Sequence, residues 1–417
     1  MLSTLIYRSR LKADINHESL AAIVRQAQTR NAAMQVSGIL VFDGYQFLQV
    51  LEGPLSSVDA LFERISQDER HDFVVELMRD YAPHRHFENV GMALFDLRNV
   101  KAQAVLKSVV KSSVVPFNLA REARVYKFIR SFLRHPDRQQ ISRQFTPDAW
   151  RVEPTQQQPG LALPPAVTDI ACEFALQPIV EPLTCKIKAF EALIRSPDGG
   201  SPAALFASMS SETLYKVDLH SKEKAFALAK AVNIGSQMIS VNLLPGSLVQ
   251  APDAVEILLA QIARQGLLPQ QVIVEVTESE VISRFDEFES VIRQLRAAGI
   301  NLAIDDFGAG FAGLSLLTRF QPGRIKIDRS IVADIHLHGP KQAIVHGIIR
   351  CCAELEITVV AEGVEKVEEW CWLEAVGIKY FQGYLFARPL LNCAPSVSWP
   401  TARPDKKTSW GSGPGCY

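Results

Sequence analysis

Asp305 and Asp306 stand side by side where an apolar run, Ile300-Asn301-Leu302-Ala303-Ile304, ends, and Phe307-Gly308-Ala309-Gly310 follows. Adjacent carboxylates repel unless a cation lies with them, so a buried strand that stops at such a pair predicts a cation site at a strand mouth. Other oxygen donors occupy the same kind of position. Glu191 lies in Phe190-Glu191-Ala192-Leu193-Ile194-Arg195, Asn242 ends Ser240-Val241-Asn242, and Glu275 and Glu278 lie in Val274-Glu275-Val276-Thr277-Glu278. Lys326 follows in Ile325-Lys326-Ile327-Asp328, Glu362 in Val360-Ala361-Glu362-Gly363 and Gln382 in Phe381-Gln382-Gly383-Tyr384. Glu191, Asn242, Glu275, Asp305, Asp306 and Glu362 are hard oxygen donors with no His or Cys among them, which suits Mg²⁺ or Mn²⁺ better than Zn²⁺. Their carboxylates exceed what one ion needs. A two-metal site bridged by Asp305 accounts for the excess, and two such ions can activate a water and stabilise phosphodiester oxygens under in-line attack. Lys326 would orient that water or neutralise developing charge. Arg195, four residues after Glu191 on the same strand face, offers a planar fork to a phosphate.

These side chains need a frame that brings distant strand ends together. From about 169 to 389 the sequence alternates strands with helices, the strands falling at Phe174–Ile179, Ala189–Ile194, Met238–Val241, Val272–Val276, Leu302–Ile304, Arg324–Ile327, Thr358–Val360 and near Ile378–Phe381. Eight β segments with intervening helices predict an α/β TIM-type barrel, in which functional groups gather at the C-terminal strand ends. Any one such acid could be a helix cap or a surface charge. An ordered set at successive strand ends argues for a site.

Residues 1 to 98 read differently. Strand-like Leu2–Arg8, helical Glu18–Thr29, strand Gly38–Phe42, an Asp43-Gly44 hairpin signal into Phe47–Leu51, a helix from Ser56 to Ser66, a strand at Phe73–Met78 and one near Val90–Leu94 predict βαββαββ, a ferredoxin-like α+β domain. Strand alternation puts Gln49 on the apolar face of Phe47 and Leu51, where an amide needs a partner. Tyr7 lies in the first strand, and Asn31 shares a helical stripe with Ile23 and Ala27. Tyr, Gln and Asn could converge on a flat polar heterocycle between two helices. Residues 99 to 165 read as amphipathic helices followed by a polar, Pro-rich linker, and residues 394 to 417 as a disordered tail.

Two family resemblances rest on these stretches. Glu191-Ala192-Leu193 with Arg195, Asp305-Asp306-Phe307-Gly308-Ala309-Gly310, Lys326-Ile327-Asp328, Glu362-Gly363-Val364-Glu365 and Gln382-Gly383-Tyr384-Leu385 match, in order, the motifs of EAL domains. The resemblance implies a phosphodiesterase that linearises cyclic-di-GMP to pGpG with two divalent ions. Glu191, Asn242, Glu275, Asp305, Asp306 and Glu362 would be ligands, and Lys326 would contact the nucleophilic water. Glu278 would brace the loop after Asp306, which in that family connects catalysis to dimerisation, and Arg195 and Gln382 would serve the substrate side, Gln382 by supporting the site floor. Ala309, Phe311 and Ala312 depart from the residues usual there. Ser37-Gly38-Ile39-Leu40 through Phe47-Leu48-Gln49-Val50-Leu51-Glu52-Gly53 resembles the core of BLUF domains, flavin-binding blue-light sensors. That resemblance implies FAD or FMN held near Tyr7, Asn31 and Gln49, a hydrogen-bond switch made by Tyr7 and Gln49, and Met92 sensing it. Val90 stands where many members have Trp or a small residue.

Composition sets outer bounds. With 417 residues, 47% of them hydrophobic, two cored domains are expected. A net charge of −1 offers no general DNA or membrane surface. Seven Cys without a CxxC spacing suit reduced thiols, and no run is long enough to span a bilayer, so a cytoplasmic protein is expected, while the EAL resemblance implies a homodimer acting on cyclic-di-GMP. The competing reading is a catalytically silent photoreceptor that binds nucleotide or a repressor protein according to light.

Overall fold

The structure, a computed structural model, describes residues 2–11, 17–82, 85–87, 92–111, 124–134, 145–155, 170–207, 209–278, 285–310, 314–319 and 321–403. The chain divides into two compact units, Met1–Gln140 with Asp334–Ile344, and Ile141–Ala333 with Val345–Tyr417.

In the first unit the elements follow as β1 (Leu2–Leu11), α1 (His17–Ala33), β2 (Ser37–Phe42), β3 (Gln46–Pro54), α2 (Leu55–Ser66), β4 (His71–Ala82) and β5 (Ala93–Asp96). This is the expected βαββαββ order. The sheet runs β4-β1-β3-β2-β5, with only β2 and β5 parallel. The hairpin from β2 to β3 forms because Asp43 Oδ1 accepts from the amides of Tyr45 at 2.8 Å and Gln46 at 2.6 Å while Gly44 takes φ +104°. Alternation along the strands then sorts side chains between two cores. Leu5, Tyr7, Phe47 and Leu51 pack with Leu20, Val24, Val58 and Leu61 of α1 and α2. Ile6, Leu48 and Val50 face the opposite way, onto α3 (Ala102–Lys111) and α4 (Arg124–Arg134), through Val105, Val109, Ile129 and Phe132. Those two helices were expected as part of a connector. They instead cover a sheet face that would otherwise expose a row of Ile and Val. Met92 lies just before β5 rather than in it. Val90 falls outside the described residues.

The second unit opens with a short strand, β6 (Trp150–Val152), and continues with β7 (Glu173–Glu181), β8 (Lys186–Arg195), β9 (Met238–Asn242), β10 (Val272–Thr277), β11 (Asn301–Phe307), β12 (Arg324–Ile327), β13 (Thr358–Ala361) and β14 (Tyr380–Phe381). Strands β7 to β14 pair in order and close where β14 meets β7, giving the eight-stranded barrel expected. Its first strand departs from a regular TIM barrel. β7 is antiparallel to β8, because the short connection Pro182–Cys185 turns the chain straight back, and so also to β14 at the closure, whereas the pairs from β8 through β14 are parallel. Outside the barrel, β15 (Leu390–Leu391) adds to β7, and β16 (Pro400–Ala402) pairs with β6. The expected disordered tail therefore begins later than 394. Residues 400–402 are held by this ladder, which packs at the Trp150 and Trp370 rings, 5.1 Å apart and nearly perpendicular. Residues 404–417 lie outside the described set.

Candidate active site

Strand periodicity builds the site in layers. Ala189, Ile273, Ala303 and Val360, with Ile179, form a buried apolar layer in the barrel lumen. Two residues further along each parallel strand, on the same face, come Glu191, Glu275, Asp305 and Glu362, and Lys326 stands in the same relation to Arg324. Because β7 runs the other way, its residue at that level is Gln177, two before Ile179, and it pairs in register with Glu191. The apolar layer excludes water from below, so the charged layer above it sits at a floor of low polarisability.

Lys326 is the centre of that layer and is wholly buried. Its Nζ lies 2.7 Å from Glu275 Oε2, 3.2 Å from Glu191 Oε2, 3.2 Å from Asp305 Oδ1 and 2.5 Å from Glu362 Oε1. Burial disfavours its charge, but Glu191, Glu275, Glu362 and Asp305 together hold the ammonium well above the ordinary lysine range. The acids answer differently. Burial pushes Glu275 up to about 8 and Glu362 well above the carboxylate range, in both cases against the pull of Lys326. Burial also presses on Asp305, yet Lys326, a hydrogen bond with Glu362 and the Asp306 amide hold it below its usual value. Asp306, partly exposed, is raised to about 6 by burial and by Asp305 and Asp328. One ammonium cannot neutralise this many acids.

Adjacent residues on a regular strand point to opposite faces, so Asp305 and Asp306 need a local device to act together. Ile304 pairs with Ile325 and Phe307 with Ile327, leaving the two acids opposite Lys326 alone. This is a bulge, and Asp306 takes the left-handed conformation at φ +53° that it requires. Oxygens of Asp305, Asp306 and Glu362 consequently lie within 4.8 Å of one another, as do those of Glu191, Glu275 and Asp305. Asp305 belongs to both groups, in keeping with a bridging position. Glu275 Oε1 is buried without a hydrogen-bond partner among the described residues. A hard cation would satisfy it, and the all-oxygen donor set fits Mg²⁺ or Mn²⁺.

The other expected residues take distinct places. Asn242 Nδ2 donates to Glu191 Oε1 at 2.6 Å, which fixes the amide and leaves Oδ1 as its acceptor. Glu278, buried, accepts from Gly308 N at 2.8 Å and so ties the strand end to the loop after Asp306. Residues 311–313 of that loop, with Phe311 and Ala312, are outside the described set. Gln382 Nε2 donates to Glu191 Oε2 at 2.7 Å and to Gln177 Oε1 at 3.0 Å, a brace under the acids. Arg195 lines a neighbouring cleft of about 270 Å³ with Phe174, Pro202, Phe206, Asn242 and Glu275, while Glu191, Asp305, Asp306 and Glu362 line one of about 280 Å³. Gln177 was missed by the sequence reading. Its signal, an amide in an apolar strand, becomes visible only once the antiparallel register opposite Glu191 is known.

In the first unit Tyr7 and Gln49 are register partners across β1 and β3. The Tyr7 hydroxyl donates to Gln49 Oε1, Gln49 Nε2 reaches Met92 Sδ at 3.5 Å, and Gln28 Nε2 holds the Met92 carbonyl at 2.8 Å. Burial keeps the Tyr7 phenol protonated by raising it far above its ordinary range, with a smaller push from Asp68. Asn31 is buried too, and its Nδ2 has no partner among the described residues. That orphaned donor, beside a phenol and an amide on one apolar face, fits the polar edge of a bound flavin ring.

Comparison with known proteins identifies the family of each unit. The family model described as "EAL domain" matches residues 162–389, and the one described as "Sensors of blue-light using FAD" matches residues 2–93. The "Blue light- and temperature-regulated antirepressor BluF" of Escherichia coli (strain K12) is 45% identical over 403 residues, which cover 96% of this chain and 99% of that one. BlrP1 of Klebsiella pneumoniae, solved as a manganese and cyclic-diGMP complex at pH 6, is 48% identical with a TM-score of 0.91 over 97% of this chain and 100% of its own. The same protein solved with FMN and cyclic diGMP and no metal ions gives 43% and 0.85, with the same coverage. The chain thus belongs to the EAL-domain family, in the branch that carries a BLUF blue-light sensor ahead of the barrel.

Proposed function

We propose that the barrel hydrolyses cyclic-di-GMP to linear pGpG and that a flavin in the BLUF unit, FAD or FMN, places this under blue-light control. The observation that carries the reading is the complete donor set, Glu191, Asn242, Glu275, Asp305, Asp306 and Glu362, gathered around one buried ammonium at the C-terminal barrel mouth. Two divalent cations, when bound, would supply water activation and charge neutralisation at the phosphate. Water oxygen joins phosphorus, one P–O3′ bond breaks, and the proton ends on the departing 3′ oxygen. The protein's part is positioning. Lys326, which the four surrounding carboxylates hold as an ammonium, would serve as a hydrogen-bond donor to the water or the phosphate. Gln382 and Asn242 fix Glu191 from two sides, and Glu278 fixes the loop that follows Asp306. Arg195 and the apolar wall beside it offer a guanidinium and a stacking surface to the nucleotide.

In the sensor, absorption by the flavin rearranges the Tyr7, Gln49 and Met92 hydrogen bonds, and the enzyme works as a cytoplasmic homodimer with light raising turnover. The test is chromatography of cyclic-di-GMP products with Mg²⁺ or Mn²⁺ in light and dark, for wild type and Gln49→Leu. Linear product that increases in light, with the increase lost but dark turnover kept in Gln49→Leu, is expected. Nucleotide binding without product in either state would assign the chain to the antirepressor kind that its relative's name describes. A monomeric mass in solution would remove the dimer from the proposal.

A further inference from the structure

One buried carboxylate outside the acid layer is aimed at the turn that carries Asn242. α5 (Ser211–Ala231) presents Asp218, whose side chain is 6% exposed, and α6 (Pro245–Val249) follows β9 after Leu243 and Leu244. The N-cap of α6 is Leu244, which has no oxygen to offer the free amides there. Asp218 supplies it from the other helix: its Oδ2 accepts from Leu244 N at 2.9 Å and from Ser247 Oγ at 2.6 Å. Its Oδ1 accepts from Lys222 Nζ at 2.6 Å, and Lys222 is 2% exposed. A second contact clamps the same turn to α5. Any side chain at Gly246 would meet the Tyr215 ring at 2.4 Å, so the turn lies flat against that ring.

We propose that Asp218, paired with Lys222, is a positioning residue for Asn242, setting its Oδ1 where a divalent cation can use it. This inference rests on the proposed phosphodiesterase reading. The backbone leaving Asn242 is fixed at two successive amides, Leu243 N on the Glu275 carbonyl at 2.9 Å and Leu244 N on Asp218. Only the second anchor lies outside the acid layer. A buried ion pair is weak evidence for stability alone, because hydrophobic replacements of the pair are often neutral. A pair whose carboxylate also fixes the turn after a ligand has a further use.

Mn²⁺ titration of the full-length protein in the dark, by calorimetry, separates positioning from folding. Asp218→Leu with Lys222→Met removes acceptor and ammonium together and is expected to weaken Mn²⁺ binding by about 10-fold or more, the effect typical of groups that orient ligands. Asp218→Asn with Lys222→Met restores an acceptor oxygen and is expected to return to within about 3-fold of wild type on the same scale. Ser247→Ala keeps the ion pair, removes one donor, and is expected to fall between. Affinity unchanged in the folded first variant, or unrecovered in the second, overturns the proposal. Should the first variant not fold, unchanged affinity in Ser247→Ala overturns it. Wild type that takes up no Mn²⁺ overturns instead the phosphodiesterase reading beneath it.

Discussion

Replacing Lys326 with Met removes the only ammonium within 4 Å of Glu191, Glu275, Asp305 and Glu362 among the described residues. Methionine keeps much of the volume, so the change is chiefly electrostatic. Breaking a buried pair by removing one partner costs roughly 3–5 kcal/mol, because the remaining charge is left in a poor solvent. For a domain of this size each kcal/mol moves the melting temperature by about 2–4 °C, so metal-free K326M should melt roughly 6–20 °C below wild type at pH 8. The acids can escape by taking protons. A carboxyl raised in the folded state carries its full penalty above the folded value and none below the unfolded one, so the deficit should shrink as pH falls from about 8 to 5. Saturating Mn²⁺ should shrink it as well, since cations then take over the neutralisation. Tryptophan fluorescence isolates the transition, because the described tryptophans, Trp150, Trp370, Trp372 and Trp399, all belong to the barrel unit and residues 1–140 and 334–344 contain none. Equal melting of K326M and wild type in EDTA at pH 8 would refute the reasoning, since it would mean the four acids are neither close nor desolvated.

Asp305→Asn should lower turnover by roughly 10²–10³-fold or more, leave the flavin spectrum unchanged, and bind cyclic-di-GMP in EDTA no more weakly than wild type, as a competition titration would show. Gly308 holds φ +92°, and a Cβ there would meet Ile331 Cδ1 at 2.5 Å. Gly308→Ala should therefore cost about 1–3 kcal/mol in denaturant unfolding of the barrel and reduce turnover through the adjacent acids, and an unshifted midpoint would count against it. Glu374 accepts from Trp370 Nε1 at 3.1 Å, and burial raises its carboxyl to about 7. A raised carboxyl favours the folded state at low pH and loses that advantage as pH climbs through its folded value, so wild-type barrel stability should decline from about pH 5 to 8 relative to Glu374→Gln. A fluorescence titration near pH 7 seen in both proteins would assign it to another group.

Much of the barrel was legible because buried parallel strands leave short, nearly continuous apolar runs, and each run here ends in a residue that no core would choose. The acids were legible for the same reason: Glu191 or Glu275 two positions beyond a small or branched apolar residue cannot be a surface accident when the pattern repeats. The reversal of β7 was not, because its direction depends on the tight turn at Pro182–Cys185 and not on any side-chain period. With it went Gln177, whose meaning depends on register. The bulge at Asp305 and Asp306 was equally hidden. A sequence shows two adjacent acids, but only the pairing of Ile304 and Phe307 with Ile325 and Ile327 shows how both reach one side. The ladder between β6 and β16 joins residues such as Arg151 and Thr401, 250 apart in sequence, and three-residue strands carry too little pattern to announce such a partner. In the sensor, the alternation around Gln49 was readable, while the covering of the opposite sheet face by α3 and α4 depended on a tertiary contact.

Binding and turnover make opposite demands on the barrel mouth. A cyclic dinucleotide carries two phosphodiester charges, and a site meant only to hold it would place cations against them. Here the groups suited to holding lie to one side, where Arg195 and Phe206 line a cleft that only Glu275 of the acid layer borders. The acid layer beside Asp305 repels a phosphate unless cations come between, and it costs folding energy besides, as the raised values of Glu275, Asp306 and Glu362 record. Replacing Asp306 or Glu362 by an amide would ease both burdens without altering the lining of the neighbouring cleft. An arrangement that is unfavourable for folding, and neutral or worse for holding the ligand, is explained by what it does once cations are present. The proposed hydrolase reading accounts for such an arrangement, and it predicts that Asp306 and Glu362 separate from Arg195 in mutagenesis, the first group moving turnover and the second moving nucleotide affinity.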